Sequence, residues 1–266
     1  MFRFAVGFVV LFLLACSATA QPISPAARSE IAPTGKLRVG IHYVNIFIVT
    51  KDPESGEPRG VAIDLARELG RRIGVPVEFV GYANANRLTR AVESGEWDVS
   101  FQAAEVSRAA EITFTPGYAE IDATYLVPAG SSLSTIADVD REGVRISVAG
   151  KSGYDRILTR TLKNAQLVRA QGFAGSVRAF VSDKLEALAG LRPQLVIEAE
   201  NLPGSRVLDD RFIVLPQSIG TPKGREAAAR YLREFVEDAK ASGLVAKAIE
   251  RAGVRGMSVA PKAPVQ

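Results

Sequence analysis

Apolar and polar positions follow regular patterns over the first part of the chain. Residues 36–41 alternate and are rich in β-branched side chains, which predicts a first strand. A segment dense in turn-forming residues, 51–60, predicts a hairpin-like loop. Apolar residues then recur every four positions over 61–73, as in an amphipathic helix. Residues 77–80 predict a second strand, and a third begins at Trp97 after another short helical segment.

The same alternation starts again in the second part of the chain. We expect strands at 143–149, 166–169 and 178–181, a helix over 154–162 and a long helical region over 225–252. Strands that alternate with helices predict mostly parallel sheets covered by helices. The sequence therefore predicts an α/β protein of two lobes.

The N-terminus has the pattern of a secretory signal. A basic start at Arg3 precedes an apolar segment over 4–15, and small residues at 18–20 suit a cleavage site. We expect a signal peptide over 1–20 and a periplasmic location. An alternative is lipid anchoring at Cys16, because Leu13 to Cys16 also resembles a lipobox.

Two further segments have compositions that do not predict packed structure. Residues 21–32 are rich in Pro, Ala and Ser and are interpreted as a linker, and residues 254–266 as a flexible tail.

Composition narrows the possible functions. The chain has 266 residues and a formal net charge of +4, with Lys and Arg scattered among Asp and Glu, so nucleic acid is not an expected partner. One histidine, and no cysteine once the signal peptide is removed, disfavour a metal site. The absence of a G-x-S-x-G motif from the sequence disfavours a Ser-His-Asp hydrolase. We expect no cofactor and a monomer.

One arginine lies in a setting that indicates binding. Arg108 is part of the small and apolar stretch FQAAEVSRAAEITFTPGY, in a connection that follows the strand from Trp97. A guanidinium is a rigid planar fork of donors that matches the two oxygens of a carboxylate. The sequence thus predicts an anion clamp. The alternative is an ion pair of Arg108 with Glu105 or Glu111 at the surface.

Five short segments occur together in a characteristic order and spacing. They are RGVAIDLA (59–66), SGEWDV (94–99), SRAAEITFTPGY (107–118), GVRISVAG (143–150) and AFVSD (179–183). On these segments the chain resembles the periplasmic solute-binding proteins that supply polar amino acid ABC importers. The likeness runs from about residue 35 to residue 253.

The resemblance implies a two-lobed, type II periplasmic binding protein fold. Each lobe would hold a mostly parallel sheet flanked by helices, and two crossing strands would join the lobes as a hinge. Lobe 1 would comprise 33–118 plus 218–253, and lobe 2 would comprise 119–217. The ligand would lie between the lobes.

The resemblance also assigns roles to residues. It implies that Arg108 binds the α-carboxylate of the ligand and that Asp183 receives its ammonium group; the alternative for Asp183 is the N-cap of a following helix. Gly150, Lys151 and Ser152 resemble an anion-binding loop at the start of a helix, where Ser152 is also a suitable cap. A solvated lysine in an ordinary turn is the alternative for Lys151.

Other candidate residues lie near the expected cleft. His42 follows the first strand at a position that contacts the ligand in relatives, although a lone histidine is often structural. Tyr82 is a candidate aromatic wall. Asn45 lies where the family tends to have a proline and an aromatic lid, and Ala103 and Glu105 replace hydroxyl residues that usually help to hold the ligand.

These features predict the substrate-binding component of an ABC transporter rather than an enzyme. It would capture a small amino acid or related carboxylate and deliver it to an inner-membrane permease. One alternative is an enzyme on the same fold, similar to cyclohexadienyl dehydratase, with Glu105 or Glu120 as general acid or base. Another is a sensor that signals when its lobes close. Asp64 and Asp98 are interpreted as structural hydrogen-bond acceptors.

Overall fold

A computed structural model describes residues 23–264 of the chain. The predicted signal peptide, its cleavage site and the lipid-anchoring alternative at Cys16 lie outside these residues. Among the described residues, no helix has the length and apolar character needed to cross a membrane.

Helices and strands alternate along most of the chain. The helices are α1 Pro25–Ile31, α2 Val61–Ile73, α3 Ala85–Arg90, α4 Ile136–Val139, α5 Gly153–Thr161, α6 Gly172–Ser182, α7 Arg192–Asn201, α8 Glu226–Ala241 and α9 Leu244–Ala252. The strands are β1 Leu37–His42, β2 Thr50–Lys51, β3 Pro58–Arg59, β4 Val77–Tyr82, β5 Val99–Ala103, β6 Ile112–Phe114, β7 Ala119–Val127, β8 Arg145–Ala149, β9 Gln166–Ala170, β10 Ala187–Leu191, β11 Arg206–Val207, β12 Ile213–Pro222 and β13 Met257–Val259. A 3₁₀ turn covers Val106–Arg108.

The strands form two lobes that share two long antiparallel strands. The main order is β4-β1-β5-β12-β7-β10-β8-β9. Parallel pairs β4-β1 and β1-β5 belong to lobe 1, and parallel pairs β10-β8 and β8-β9 belong to lobe 2. The expected α/β fold with two crossing strands, β7 and β12, is confirmed. The lobe boundaries at residues 118 and 217 remain a prediction.

Apolar side chains form separate cores in the two lobes. In lobe 1, the alternating residues Leu37, Val39 and Ile41 of β1 are fully buried in one core with the apolar faces of α2, α8 and α9. In lobe 2, the main core packs α5 against β7, β8 and β10. The helical period over 61–73 is confirmed, and Gly74 ends α2 in a left-handed conformation with φ 68°, which glycine adopts at little cost.

Three segments differ from the sequence-based expectations. Residues 178–181 were predicted as a strand but belong to α6, because a short apolar run does not by itself distinguish a strand from a buried helix. Residues 25–31, interpreted as linker, form α1, whose Ala27 and Ile31 are buried.

The third difference concerns the tail, since residues 257–259 form β13 and pair with β7 at Ala119–Ile121. An unpacked tail was therefore wrong for these residues, and a third strand lies beside the two that join the lobes. Arg255 lies just before β13, and its guanidinium Nη1 is 2.6 Å from Oε1 of Glu200 in α7.

Candidate interlobe site

The ends of the parallel strands of the two lobes face each other across a gap. Ala103, the last residue of β5, pairs with Gln217 of β12. Leu191, the last residue of β10, pairs with Ala123, which pairs with Ile213 of the same β12 strand. The two strand ends therefore point towards each other, separated by four residues of β12 or roughly 13 Å. The connections that follow β1, β5 and β8 border this gap, where binding residues are typically found in open α/β sheets.

Arg108 borders the gap from lobe 1. Its Nη1 donates a 2.9 Å hydrogen bond to the carbonyl oxygen of Ala103, and its Nη2 lies 3.3 Å from a carboxylate oxygen of Glu105. The side chain of Arg108 is 11% exposed, whereas that of Glu105 is 48% exposed. The alternative ion pair with Glu105 is thus present. Because the Glu105 carboxylate is half exposed, its ion pair with Arg108 contributes little free energy, and the carboxylate clamp remains a prediction that the geometry permits.

A row of buried polar side chains lies next to Arg108. The register of β1, β5 and β12 places His42, Gln102 and Ser218 side by side on one face of the sheet, opposite the face of Ile41 and Phe101. All three are buried, and His42 Nδ1, Gln102 Oε1 and Ser218 Oγ have no hydrogen-bond partner among the described residues. Such orphaned atoms indicate groups that water or a ligand satisfies.

The amide of Asn45 connects the loop after β1 to the hinge. Its Nδ2 donates to Oε1 of Gln217 at 2.9 Å, and Gln217 Nε2 donates to the carbonyl oxygen of Leu215. Asn45 therefore lies beside the gap with its amide already bonded to the crossing strand, and a contact of Asn45 with a ligand stays a prediction. Gln217 was not identified from the sequence as a residue of the site. It lies between Ala103 and Ala119 because β12 pairs with both β5 and β7, and this pairing leaves no local signal in the sequence.

The protonation of His42 couples stability to pH. Burial, followed by the positive charge of Arg108, lowers the pKa of His42 to about 4. The unfolded chain, with a histidine pKa near 6.5, binds the proton more readily, so stability must fall as pH decreases from 6.5 towards 4. We expect the wild-type protein to lose about 2 kcal/mol between pH 7 and pH 5 from this group, measured by urea unfolding.

The control for this prediction is His42→Asn, which has no titrating group at this position. In this variant, the loss between pH 7 and pH 5 should be smaller by the same amount. An identical pH dependence in both proteins would show that His42 does not carry the effect.

The predicted anion loop of lobe 2 borders the gap but has bonded amides. The N–H of Gly150 donates to Ala170, that of Lys151 to an Asp155 carboxylate oxygen at 2.8 Å, and that of Ser152 to Ala149. The proposed cap is confirmed, since Ser152 Oγ accepts a hydrogen bond from the N–H of Asp155. A backbone anion site formed by these three amides is not supported. The exposed Lys151 side chain remains available, because no carboxylate of residues 23–264 pairs with it.

Asp183 is not at the gap, contrary to the role that the resemblance implied. It lies at the C-terminal end of α6, before β10, and its charge acts on Arg145 at the first residue of β8. Asp183 and Arg145 thus lie at the N-terminal ends of β10 and β8, whereas the C-terminal ends of these strands face lobe 1. Asp183 is roughly 25 Å from Ala103 along the sheet. The alternative N-cap role is also wrong, because the next element after Asp183 is strand β10 and no helix begins at residues 184–188.

Tyr82 also points away from the gap. Its hydroxyl donates a 3.0 Å hydrogen bond to Glu96, which precedes β5, and it lines a cavity of about 440 Å³ together with Arg87 and Arg90 on the outside of lobe 1. An aromatic wall from Tyr82 is therefore not supported. Within the described part of the chain, no cluster of three His, Cys, Asp or Glu side chains could hold a metal ion.

Comparison with known proteins agrees with this architecture. Residues 37–253 match the family of bacterial extracellular solute-binding proteins, family 3. The chain belongs to this family. Its members are exported proteins that bind solutes, which matches a fold with two lobes around a gap.

Two curated relatives and two solved structures illustrate the likeness. The chain is 26% identical over 199 residues to a glutamine-binding protein of Geobacillus stearothermophilus, covering 73% of this chain and 75% of the relative. It is 22% identical over 246 residues to the ABC transporter glutamine-binding protein GlnH of Bacillus subtilis, covering 89% and 90%.

Among solved structures, an ancestral cationic amino acid solute-binding protein has a TM-score of 0.68 at 23% identity, covering 84% of this chain and 98% of that one. An ancestral cyclohexadienyl dehydratase has a TM-score of 0.60 at 22% identity, covering 86% and 97%. At these identities the structures show the fold alone.

Proposed function

We propose that the protein is the substrate-binding component of an ABC importer that binds a small amino acid or related carboxylate between its lobes. The observation that carries the proposal is the position of Arg108, a shielded guanidinium at the edge of the gap with Lys151 on the connection of the other lobe. One cation on each side suits a small anionic group held as the lobes close.

The surface of the gap also suits closure around a ligand. Val44, Ile46 and Val106 lie on the connections after β1 and β5, and they are exposed, Val106 to 94%. Three exposed apolar side chains at one strand edge gain free energy when a ligand or the opposite lobe covers them.

The curated relatives support delivery to a transporter. Both are named glutamine-binding proteins, and one is named as part of an ABC transporter. We propose that the closed, loaded protein docks on an inner-membrane permease from the periplasm. A glutamine-like ligand is consistent with these names.

An enzyme on the same fold is the second candidate, because an ancestral dehydratase shares the architecture. The candidate acids argue against it. The charged partner of each carboxylate is an arginine, Arg108 for Glu105 and Arg211 for Glu120, and no second acid–base side chain of residues 23–264 pairs with either. Absorbance assays with prephenate and arogenate separate the two candidates, and turnover of either compound would favour the enzyme.

The proposal is tested by thermal unfolding in the presence of amino acids, small carboxylates and dicarboxylates. A ligand that binds only the folded protein stabilises it by about 2.7 kcal/mol at a hundredfold excess over Kd. For a chain of this size, we expect the melting temperature to rise by roughly 5 to 10 °C. Isothermal titration calorimetry should then give a 1:1 stoichiometry. If no compound of these classes shifts the transition, the binding function is wrong.

A further inference from the structure

Three carboxylates lie next to the gap. The segments that border it are the connections after β1, β4, β5, β8, β9 and β10 together with the crossing parts of β7 and β12, and the acidic residues near the gap on these segments are Glu105, Glu120 and Asp122. Glu111 also lies on the connection after β5, but it directly precedes Ile112, which pairs with Pro222, five residues of β12 beyond Gln217 and away from lobe 2. Asp183 does not belong to these segments. The ammonium acceptor of an amino acid ligand, if the gap provides a carboxylate for it, must be one of these three.

Two of the three carboxylates, those of Asp122 and Glu120, already form ion pairs with arginines. Asp122 lies 3.3 Å from Arg192 and 3.1 Å from Arg211, and Glu120 lies 3.4 Å from Arg211. Their side chains are only 15% and 16% exposed. Arg192 also donates to the carbonyl oxygens of residues 208–210, which fixes it in place. These contacts hold the crossing strands together and leave little room for a ligand amine.

Glu105 has a different environment. It is 48% exposed, and among residues 23–264 its single charged partner is Arg108, at 3.3 Å with no hydrogen bond between the two side chains. Arg108 is independently held by the carbonyl oxygen of Ala103. Breaking the Glu105–Arg108 contact therefore costs little, since it is an ion pair without a hydrogen bond and its carboxylate is half exposed.

We infer that Glu105 binds the ammonium group of an α-amino acid whose carboxylate is bound by Arg108, an inference that rests on the proposed function. The carboxylate and the ammonium group of an α-amino acid are attached to the same carbon. Arg108 and Glu105 present the opposite charges at the two ends of one 3₁₀ turn. An entering zwitterion replaces one weak contact by two charge-assisted ones. A carboxylate without an amine would instead bring a second negative charge next to Glu105.

This arrangement places the recognition of both charges on lobe 1. Lobe 2 then contributes to closure and to the ligand side chain, with Lys151 as its free cation on the loop after β8. The substrate class is therefore α-amino acids, and carboxylates of the same shape without the amine are disfavoured.

The test compares amino acids with analogues that lack only the α-amine. Four pairs cover the side-chain classes: L-glutamine with 4-carbamoylbutanoate, L-glutamate with glutarate, L-lysine with 6-aminohexanoate, and L-leucine with 4-methylpentanoate. By calorimetry, we expect at least one amino acid to bind wild-type protein roughly 10- to 150-fold more tightly than its analogue, the range of a charge-assisted hydrogen bond. Glu105→Gln should bring the two affinities close to equal, because it weakens binding of the amino acid and removes the negative charge that disfavours the analogue.

Glu120→Gln is the matched control, because this carboxylate also faces the gap but is bonded to Arg211. It should preserve the preference for the amine, and circular dichroism should confirm that both variants are folded. The inference is overturned if wild-type protein binds the analogue as tightly as the amino acid, or if Glu105→Gln weakens both equally. If only carboxylates without an amine bind in the wider screen, this inference fails while the proposed function stands. If nothing binds, both fail.

Discussion

Asp98→Ala is expected to destabilise the protein by about 3 to 5 kcal/mol, the usual cost of removing one partner from a buried ion pair. Asp98 is fully buried at the start of β5. It accepts hydrogen bonds from Arg38 Nε and Nη2 at 3.0 and 2.8 Å and from Arg225 Nη1 at 3.3 Å. Without this carboxylate, two shielded guanidinium groups lose their counter-charge.

The loss should be large because Asp98 links elements that are distant in sequence. Arg38 belongs to β1, and Arg225 precedes α8 and also donates to the carbonyl oxygen of Glu30 in α1. The carboxylate thus joins the sheet of lobe 1 to two helices. Urea unfolding, followed by circular dichroism, measures the change, and coincidence with fluorescence of Trp97 checks for two-state behaviour.

Asp64→Ala is the matched control for this prediction. Asp64 pairs with Arg251 at 2.7 Å, but the pair lies at the surface between α2 and α9. We expect a change of less than about 1 kcal/mol, as for exposed pairs generally. If both variants lost the same free energy of unfolding, burial would not determine how much these ion pairs contribute to stability.

The sequence predicted most of the fold because its elements have strong local periods. The helix over 61–73 has apolar residues at every fourth position, and the strand of residues 36–41 alternates apolar and polar positions, so each segment shows its own period. Residues 178–181 were misassigned because four residues are too few to establish a period. Strand β13 was missed because its stability comes from pairing with β7, more than a hundred residues away in the chain. Non-local pairing leaves no local signal.

The candidate site was predictable only in part for a related reason. Arg108 was identified from its small neighbours and its position after a strand. Asp183 was assigned from a resemblance in order and spacing, which does not show at which end of a strand a residue lies. The registers of β10 and β8 decide that point and place Asp183 far from the gap. Glu105 was noticed both as a departure from the family pattern and as one of two candidate ion-pair partners of Arg108, and the geometry of the 3₁₀ turn determines that Arg108 contacts Glu105.

Arg108→Ala is expected to weaken ligand binding by about 2 to 5 kcal/mol, the cost of truncating one partner of a desolvated charge pair. This corresponds roughly to a 30- to 5000-fold increase in Kd. The reason is that the guanidinium supplies both the positive charge and the planar fork for the ligand carboxylate. Calorimetry with the ligand identified by the thermal screen measures the change, and Arg108→Lys should have an intermediate affinity because it keeps the charge but loses the fork.

Arg211→Ala distinguishes a specific clamp from a general electrostatic effect. Arg211 is also close to the gap, but it lies before β12 and its guanidinium contacts the carboxylates of Glu120 and Asp122, whereas Arg108 lies on the lobe 1 connection after β5. Both variants remove one positive charge from the same region. If binding depends on the net charge of the gap, their affinities will fall together, and the clamp is wrong. If Arg108 binds the carboxylate directly, Arg211→Ala will change Kd less than about tenfold, as expected for an exposed charge that contributes no direct contact.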